Sequence, residues 1–199
     1  MRDSPYVRRV AISMRLMGLP YEHELVSVFR NMDRFREINP VIKAPSFVCD
    51  DGTVLMDSTL ILDYLEHCVA AGNGLMPPGG EPRKRALRLI GISMAANEKN
   101  VAMVYEKSQR PADKRHEPWL ERAVEQVHAA MGMLEESVGE ARPWFGGERL
   151  NAADVAVAVA WRFCQHYNAK EIPAASYPAL AAYSVRAEAL PEFAAVPLD

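Results

Sequence analysis

The stretch Gly72-Asn73-Gly74-Leu75-Met76-Pro77-Pro78-Gly79-Gly80-Glu81-Pro82 divides the chain into two different patterns. Five of the six residues 77–82 are Gly or Pro, and such a run breaks both helix and strand. Before it, strand and helix signals alternate. After it, only helical periodicity is found, over about 83–107, 114–138, 152–168 and 178–189. A length of 199 residues suits two small domains. The pattern predicts an α/β domain over 1–72, a linker over 73–82 and an all-helical domain over 83–199.

Within the first part, residues 5–17 predict a helix. Val7, Val10, Ala11 and Met14 share one face, and Arg8, Arg9 and Arg15 take the other. Ser4 is a good N-cap, Pro5 a good first helical residue, and Gly18-Leu19-Pro20 a stop. Residues 21–28 alternate loosely and predict a strand. Ser46-Phe47-Val48-Cys49 and Thr53-Val54-Leu55-Met56 flank Asp50-Asp51-Gly52, which marks a tight hairpin. A helix follows, with Asp57 or Ser58 as its cap and Leu60, Ile61, Tyr64, Leu65 and Cys68 inward. In the second part, the helix at 152–168 has almost no polar face and must be buried on all sides. Asn151 caps it, with Asp154 at the third position.

Hydrophobic residues make up 49% and charged residues 25%, enough apolar material for a real core. The net charge of −3 provides no basic field for nucleic acid or an anionic membrane. No run of about 18 apolar residues suggests a membrane span. The start, Met1-Arg2-Asp3-Ser4-Pro5, shows no basic-then-apolar leader pattern, so the cytoplasm is the expected compartment. Cys49, Cys68 and Cys164 are odd in number and widely spaced. They predict reduced, mostly buried thiols, and neither a disulfide framework nor a metal site.

Three short segments can carry chemistry. A hydroxyl at the start of a helix, as at Ser4, sits where backbone N–H groups and the helix dipole favour negative charge. A bound thiol there ionises more easily, and Ser4 can donate a hydrogen bond to the thiolate. In Asn39-Pro40-Val41-Ile42-Lys43-Ala44-Pro45, a cis bond before Pro45 would turn the N–H and C=O of Ala44 outward, to pair with a peptide-like ligand as an added strand. At Asp57-Ser58 a hydroxyl and a helix-start N–H suit a carboxylate, and Asp57 suits an ammonium group. Read one at a time, each segment is equally a helix cap or a loop entering an edge strand.

In order and spacing, Ser-Pro opening a helix, Asn-Pro-x-x-Lys-x-Pro, and a hairpin ending in Asp-Ser together resemble the N-terminal domain of cytosolic glutathione transferases. Ser4-Pro5-Tyr6-Val7-Arg8-Arg9 is similar to a run in bacterial members, and Asn151-x-x-Asp154 before a buried helix resembles their capping box. The resemblance implies a thioredoxin-like N-terminal domain, an all-helical C-terminal domain and a homodimer. It implies glutathione as co-substrate. Ser4 would face its sulfur, Ala44 and cis Pro45 its cysteinyl part, Lys43 its glycyl carboxylate, and Asp57 and Ser58 its γ-glutamyl end. Tyr105 and Arg110 would line a pocket for a small hydrophobic electrophile, and Asn97 would stand where many members carry an aspartate. Members usually place a strand before the Ser-Pro turn. Here only Met1-Arg2-Asp3 precede it, so either the sequence starts downstream of that strand or the sheet lacks it.

The function this implies is conjugation of the glutathione thiolate to electrophiles. A non-catalytic binding or stress-regulatory protein of the same fold is the alternative. A glutathione-dependent isomerase or reductase is a third reading; a reductase usually needs a cysteine in place of Ser4.

Overall fold

The computed structural model describes residues 3–70, 72–141 and 143–198. Met1 and Arg2, from which the lack of a leader pattern was read, lie outside them. In chain order the elements are α1 (Pro5–Leu16), α2 (Met32–Ile38), β1 (Ser46–Val48), β2 (Val54–Met56), α3 (Ser58–Cys68), α4 (Gly80–Ser108), α5 (Glu117–Val138), α6 (Ala152–Asn168), α7 (Pro178–Glu188) and α8 (Pro191–Ala194). The chain forms two units: 1–75 with 191–199, and 76–190.

The first unit holds α1, α2, the β1–β2 hairpin, α3 and α8. β1 and β2 pair antiparallel with Phe47 opposite Leu55. Gly52 closes the turn at φ 84°, an angle that favours glycine, and Asp51 accepts from Thr53 N at 2.9 Å. Residues 21–28, predicted as a strand, are irregular. A strand needs a neighbour for its backbone groups, and among the described residues the sheet is β1 and β2 alone. The charged run Glu22-His23-Glu24 is exposed, and Glu24 pairs with Arg34 on α2 at 2.9 Å.

α1 departs from its predicted two-faced pattern. Val10, Ala11 and Met14 are buried as expected, but so are Arg8, at 0% exposure, and Arg9, at 3%. Arg15 alone of the three is exposed. The reason is that α1 is covered by α3 and also by α8. Arg8 Nε donates to the carbonyl of Val196 at 2.7 Å, and its guanidinium lies over the Phe193 ring. The C-terminal residues therefore belong with the first unit, and not with the helical domain to which 83–199 was assigned.

α3 also differs. Ile61, Leu62 and Leu65 are buried, whereas Leu60, Tyr64 and Cys68, expected inward, are exposed. Cys49 is half-buried, so of the three thiols only Cys164 is fully enclosed.

In the second unit α6 is the core. Val155 through Ala160 are all at 0% exposure, and α4 and α7 pack against it. Asn151 Oδ1 accepts from Ala153 N at 2.8 Å, while Asp154 Oδ2 accepts from Asn151 N at 2.7 Å. This reciprocal cap satisfies donors that a buried helix start would otherwise leave orphaned. Asp154 Oδ1 also accepts from Phe145 N at 2.7 Å and from the Tyr183 hydroxyl on α7. α4 begins at Gly80, so the last three residues of the predicted linker form its first turn. Pro82 fits there because the first turn of a helix has no use for its missing N–H.

Candidate functional site

Ser4 is the N-cap of α1. Its backbone is extended (φ −71°, ψ 125°), Pro5 follows at the first helical position, and its Oγ accepts from Val7 N at 3.4 Å. It is buried, at 8% exposure. This places a hydroxyl among the free N–H groups of a twelve-residue helix, where negative charge is favoured by about 0.3–1 kcal/mol or more.

The second segment is organised by Asn39. This residue is 2% exposed; its Nδ2 donates to Ser46 Oγ at 2.9 Å, and its Oδ1 accepts from Val41 N at 3.0 Å. Ser46 Oγ in turn donates to the carbonyl of Lys43 at 2.8 Å. Ile42 is held at φ 54°, a left-handed conformation uncommon for a β-branched residue. The Ala44–Pro45 peptide is cis, Ala44 is half-buried and the Lys43 side chain is exposed.

The third segment follows β2 directly. Asp57 sits at φ 73°, the second left-handed residue that is not glycine, and such backbone outliers gather at functional positions. Its carboxylate accepts from Thr59 N at 2.9 Å and caps α3. Ser58 is the first helical residue and is 2% exposed.

Arg9, which sequence reasoning placed on the solvent face, connects these segments. Its Nη1 donates to Ser58 Oγ at 3.3 Å and to Thr59 Oγ1 at 3.1 Å. The start of α3 is thereby fastened to the helix that begins at Ser4. Burial lowers the Arg9 pKa to about 10, against an opposing pull from Asp57, so it stays charged at neutral pH. A cavity of about 790 Å³ opens on the inner face of α1, walled by Val7, Val10, Met14, Phe35 and Phe47 and reaching Ala44 and Pro45. Ser4, Asp57 and Ser58 are not among its lining residues. The predicted residues thus form two helix starts joined by Arg9, with the cis-Pro loop beside the cavity.

In the second unit, Tyr105 and Arg110 share a cavity of about 420 Å³ with Glu106, Gln109 and Trp119. Arg110 Nε pairs with Glu106 Oε2 at 2.9 Å, and Glu106 Oε1 accepts from His116 N at 2.9 Å. Trp119 was not singled out in the sequence, because it lies nine residues beyond Arg110 and only the turn into α5 brings it back. Asn97, which stands where many members carry an aspartate, is fully buried. Among the described residues there is no cluster able to hold a metal ion. No helix of theirs is long and apolar enough to cross a membrane.

Residues 1–71 match the family described as glutathione S-transferase, N-terminal domain, and residues 117–186 match glutathione S-transferase, C-terminal domain. The chain therefore belongs to the glutathione transferase family, with a thioredoxin-like N-terminal domain and a helical C-terminal domain. Among curated proteins it is 26% identical to glutathione S-transferase U4 of Arabidopsis thaliana over 81% of this chain and 67% of that one. It is 27% identical to a probable glutathione S-transferase, GSTU6, of Oryza sativa over 92% of this chain and 80% of that one. Among solved structures it is similar to a Pseudomonas fluorescens glutathione transferase family member with bound glutathione, at 27% identity and TM-score 0.87, covering 100% of this chain and 97% of the other. A glutathione S-transferase of Methylobacterium radiotolerans, in complex with glutathione sulfonate, matches at 27% identity and TM-score 0.89 over 99% and 92%.

Proposed function

We propose that the chain conjugates the thiolate of glutathione to small hydrophobic electrophiles, with Ser4 as the hydrogen-bond donor to the sulfur. The observation that carries this reading is Ser4 at the N-cap of α1, tied through Arg9 to the helix start at Asp57-Ser58. Two helix N-termini offer N–H groups to two parts of a ligand: one for a central thiolate, one for a terminal carboxylate. Lowering a thiol pKa by one unit takes about 1.4 kcal/mol, within reach of a hydroxyl donor plus a helix dipole. Ala44, beside cis Pro45, would pair with the cysteinyl backbone. Lys43, exposed, would meet the glycyl carboxylate, and Asp57 and Ser58 the γ-glutamyl group. Glutathione bound in related structures supports this choice of co-substrate. The mechanism is thiolate stabilisation and proximity: the sulfur attacks an electrophilic carbon, and the leaving group departs with the bonding electrons.

Tyr105 and Arg110 would line the electrophile pocket. Supporting this, they share one cavity with Trp119. We read the protein as a cytoplasmic, bacterial-type homodimer. The Ser-Pro-Tyr-Val-Arg-Arg run supports the bacterial comparison. Exposed Leu60 and Tyr64, four residues apart on one face of α3, offer apolar surface for a partner subunit.

The test is calorimetric titration with glutathione, followed by a conjugation assay with an aryl halide. Binding with turnover supports the transferase. Binding without turnover leaves the binding-module reading, and no heat at millimolar glutathione removes the assigned site.

A further inference from the structure

Two thiols that stand far apart in sequence meet on one small surface of the first unit. The β1–β2 ladder runs on past Val48: Cys49 N donates to the carbonyl of Thr53 at 2.8 Å. Side chains alternate along a strand, so Cys49 lies on the same face of the hairpin as Phe47. The Phe47 ring packs against the Tyr64 ring of α3, with centroids 6.5 Å apart. Cys68 stands one helical turn beyond Tyr64, and its Sγ turns back to donate to the Tyr64 carbonyl at 3.4 Å. The hairpin face that carries Cys49 therefore meets the α3 face that carries Cys68, with the Tyr64 side chain between them. Cys68 is exposed and Cys49 is half-buried.

The Tyr64 hydroxyl is engaged by both sulfurs. Hydrogen bonding to Cys68, and next to Cys49, pushes its pKa up to about 12. A phenol that keeps its proton can donate to a thiolate beside it. We infer that Cys49 and Cys68 form a redox pair, closed into an intrachain disulfide by exchange with glutathione disulfide. The exposed Cys68 thiolate attacks one sulfur of that reagent, forming a mixed disulfide and releasing one glutathione thiolate. The Cys49 thiolate then attacks the Cys68 sulfur, forming the Cys49–Cys68 bond and releasing the second. Two protein thiols are oxidised, one reagent disulfide is reduced, and the two cysteine protons end on the two glutathione molecules. Thiols held against one hydroxyl react as an intramolecular pair, so the closing step outruns attack by further reagent. Both residues sit at the ends of elements. Cys49 precedes the Asp50-Asp51-Gly52 turn and Cys68 is the last residue of α3, so the backbone can bring the sulfurs to bonding distance. The bond would enclose residues 50–67. It uses neither Ser4 nor the cis-Pro loop, and does not rest on the conjugation reading. Local sequence hides the pair, because only the packing of hairpin on helix brings the two thiols together.

The experiment incubates the reduced full chain, folded and near pH 8, with millimolar glutathione disulfide. The reaction is quenched in acid and read by intact mass and by non-reducing peptide mapping. The native chain is expected to lose the mass of two hydrogens and to retain no glutathione. Its map should join the Cys49 peptide to the Cys68 peptide, and dithiothreitol should restore both thiols. Cys49→Ser, which removes the closing thiol, is expected to stop with one glutathione on Cys68. Cys68→Ser, which leaves only the half-buried thiol to begin the exchange, should react about tenfold more slowly or worse. Stable glutathione adducts on both cysteines of the native chain overturn the inference. So do a crosslink between two chains on a non-reducing gel, a bond that includes the enclosed Cys164, and native thiols that do not react. Should either serine variant fail to fold by circular dichroism, the map of the native chain decides.

Discussion

Ser4 is held by little: its helix, one 3.4 Å contact to Val7 N, and its own burial. Ser4→Ala should therefore leave the fold nearly intact, losing about 1 kcal/mol of helix capping. Removing the donor to a developing or resident thiolate is expected to lower turnover at neutral pH by about tenfold to a hundredfold. The thiolate absorbance of bound glutathione, followed against pH, should show its pKa moving back toward that of a free thiol. Unchanged turnover in Ser4→Ala removes the role. Asn97 shows the opposite case. Its side-chain amide is fully enclosed and neither Nδ2 nor Oδ1 has a partner among the described residues. Replacing an unsatisfied buried amide with an apolar side chain of similar shape is neutral to stabilising. Asn97→Leu is expected to raise the unfolding midpoint by roughly 2–4 °C for a gain of about 1 kcal/mol. A fall in midpoint on differential scanning calorimetry would show that the amide is satisfied after all.

Among the elements, α6 depends most on its own ends. Its apolar length demands burial, and burial demands that the first-turn N–H groups find acceptors inside the protein. Asn151 and Asp154 meet that demand reciprocally. Asn151→Ala should cost about 1–2 kcal/mol, read as a drop of several degrees in the thermal midpoint without loss of helicity. α6 also encloses Cys164, where burial raises the thiol pKa from 9.0 to about 12. A thiol that keeps its proton longer folded than unfolded favours the fold at neutral pH. That contribution is withdrawn as pH climbs from about 9 toward 12. Thiol titration of the folded protein near pH 8 should count two reactive cysteines, Cys49 and Cys68, with Cys164 appearing only in denaturant. The alkaline loss of stability should be shallower in Cys164→Ala.

At the scale of the whole chain, the C-terminus returns to the unit that the N-terminus began. Phe193 is 0% exposed, Val196 is 4% exposed, and the Val196 carbonyl takes the buried guanidinium of Arg8. Deleting residues 191–199 removes a packed aromatic ring and takes the Val196 carbonyl away from the buried Arg8 guanidinium. Loss of the ring alone typically costs about 3 kcal/mol or more. The truncated chain is expected to lose glutathione binding, while the helical unit, 76–190, keeps its own cooperative transition in urea. Retained glutathione affinity after truncation would show that the first unit does not need its C-terminal residues.

Local sequence by itself determined the helices after residue 82, the hairpin at 46–56 and both capped helix starts. Each depends on near neighbours: periodicity, turn residues and cap chemistry act within a few positions. It also presented Ser4, Ala44-Pro45 and Asp57-Ser58 in order, although only their likeness to a family joined them into one site. Tertiary structure decided what covers each face. Arg8 and Arg9 are buried because α8 and α3 close over α1 from distant parts of the chain. Residues 21–28 are irregular because a strand needs a partner that its own alternation cannot supply. Leu60 and Tyr64 look outward because α3 packs through Ile61 and Leu65. Burial is a property of neighbours in space, and periodicity names a face without naming what lies against it.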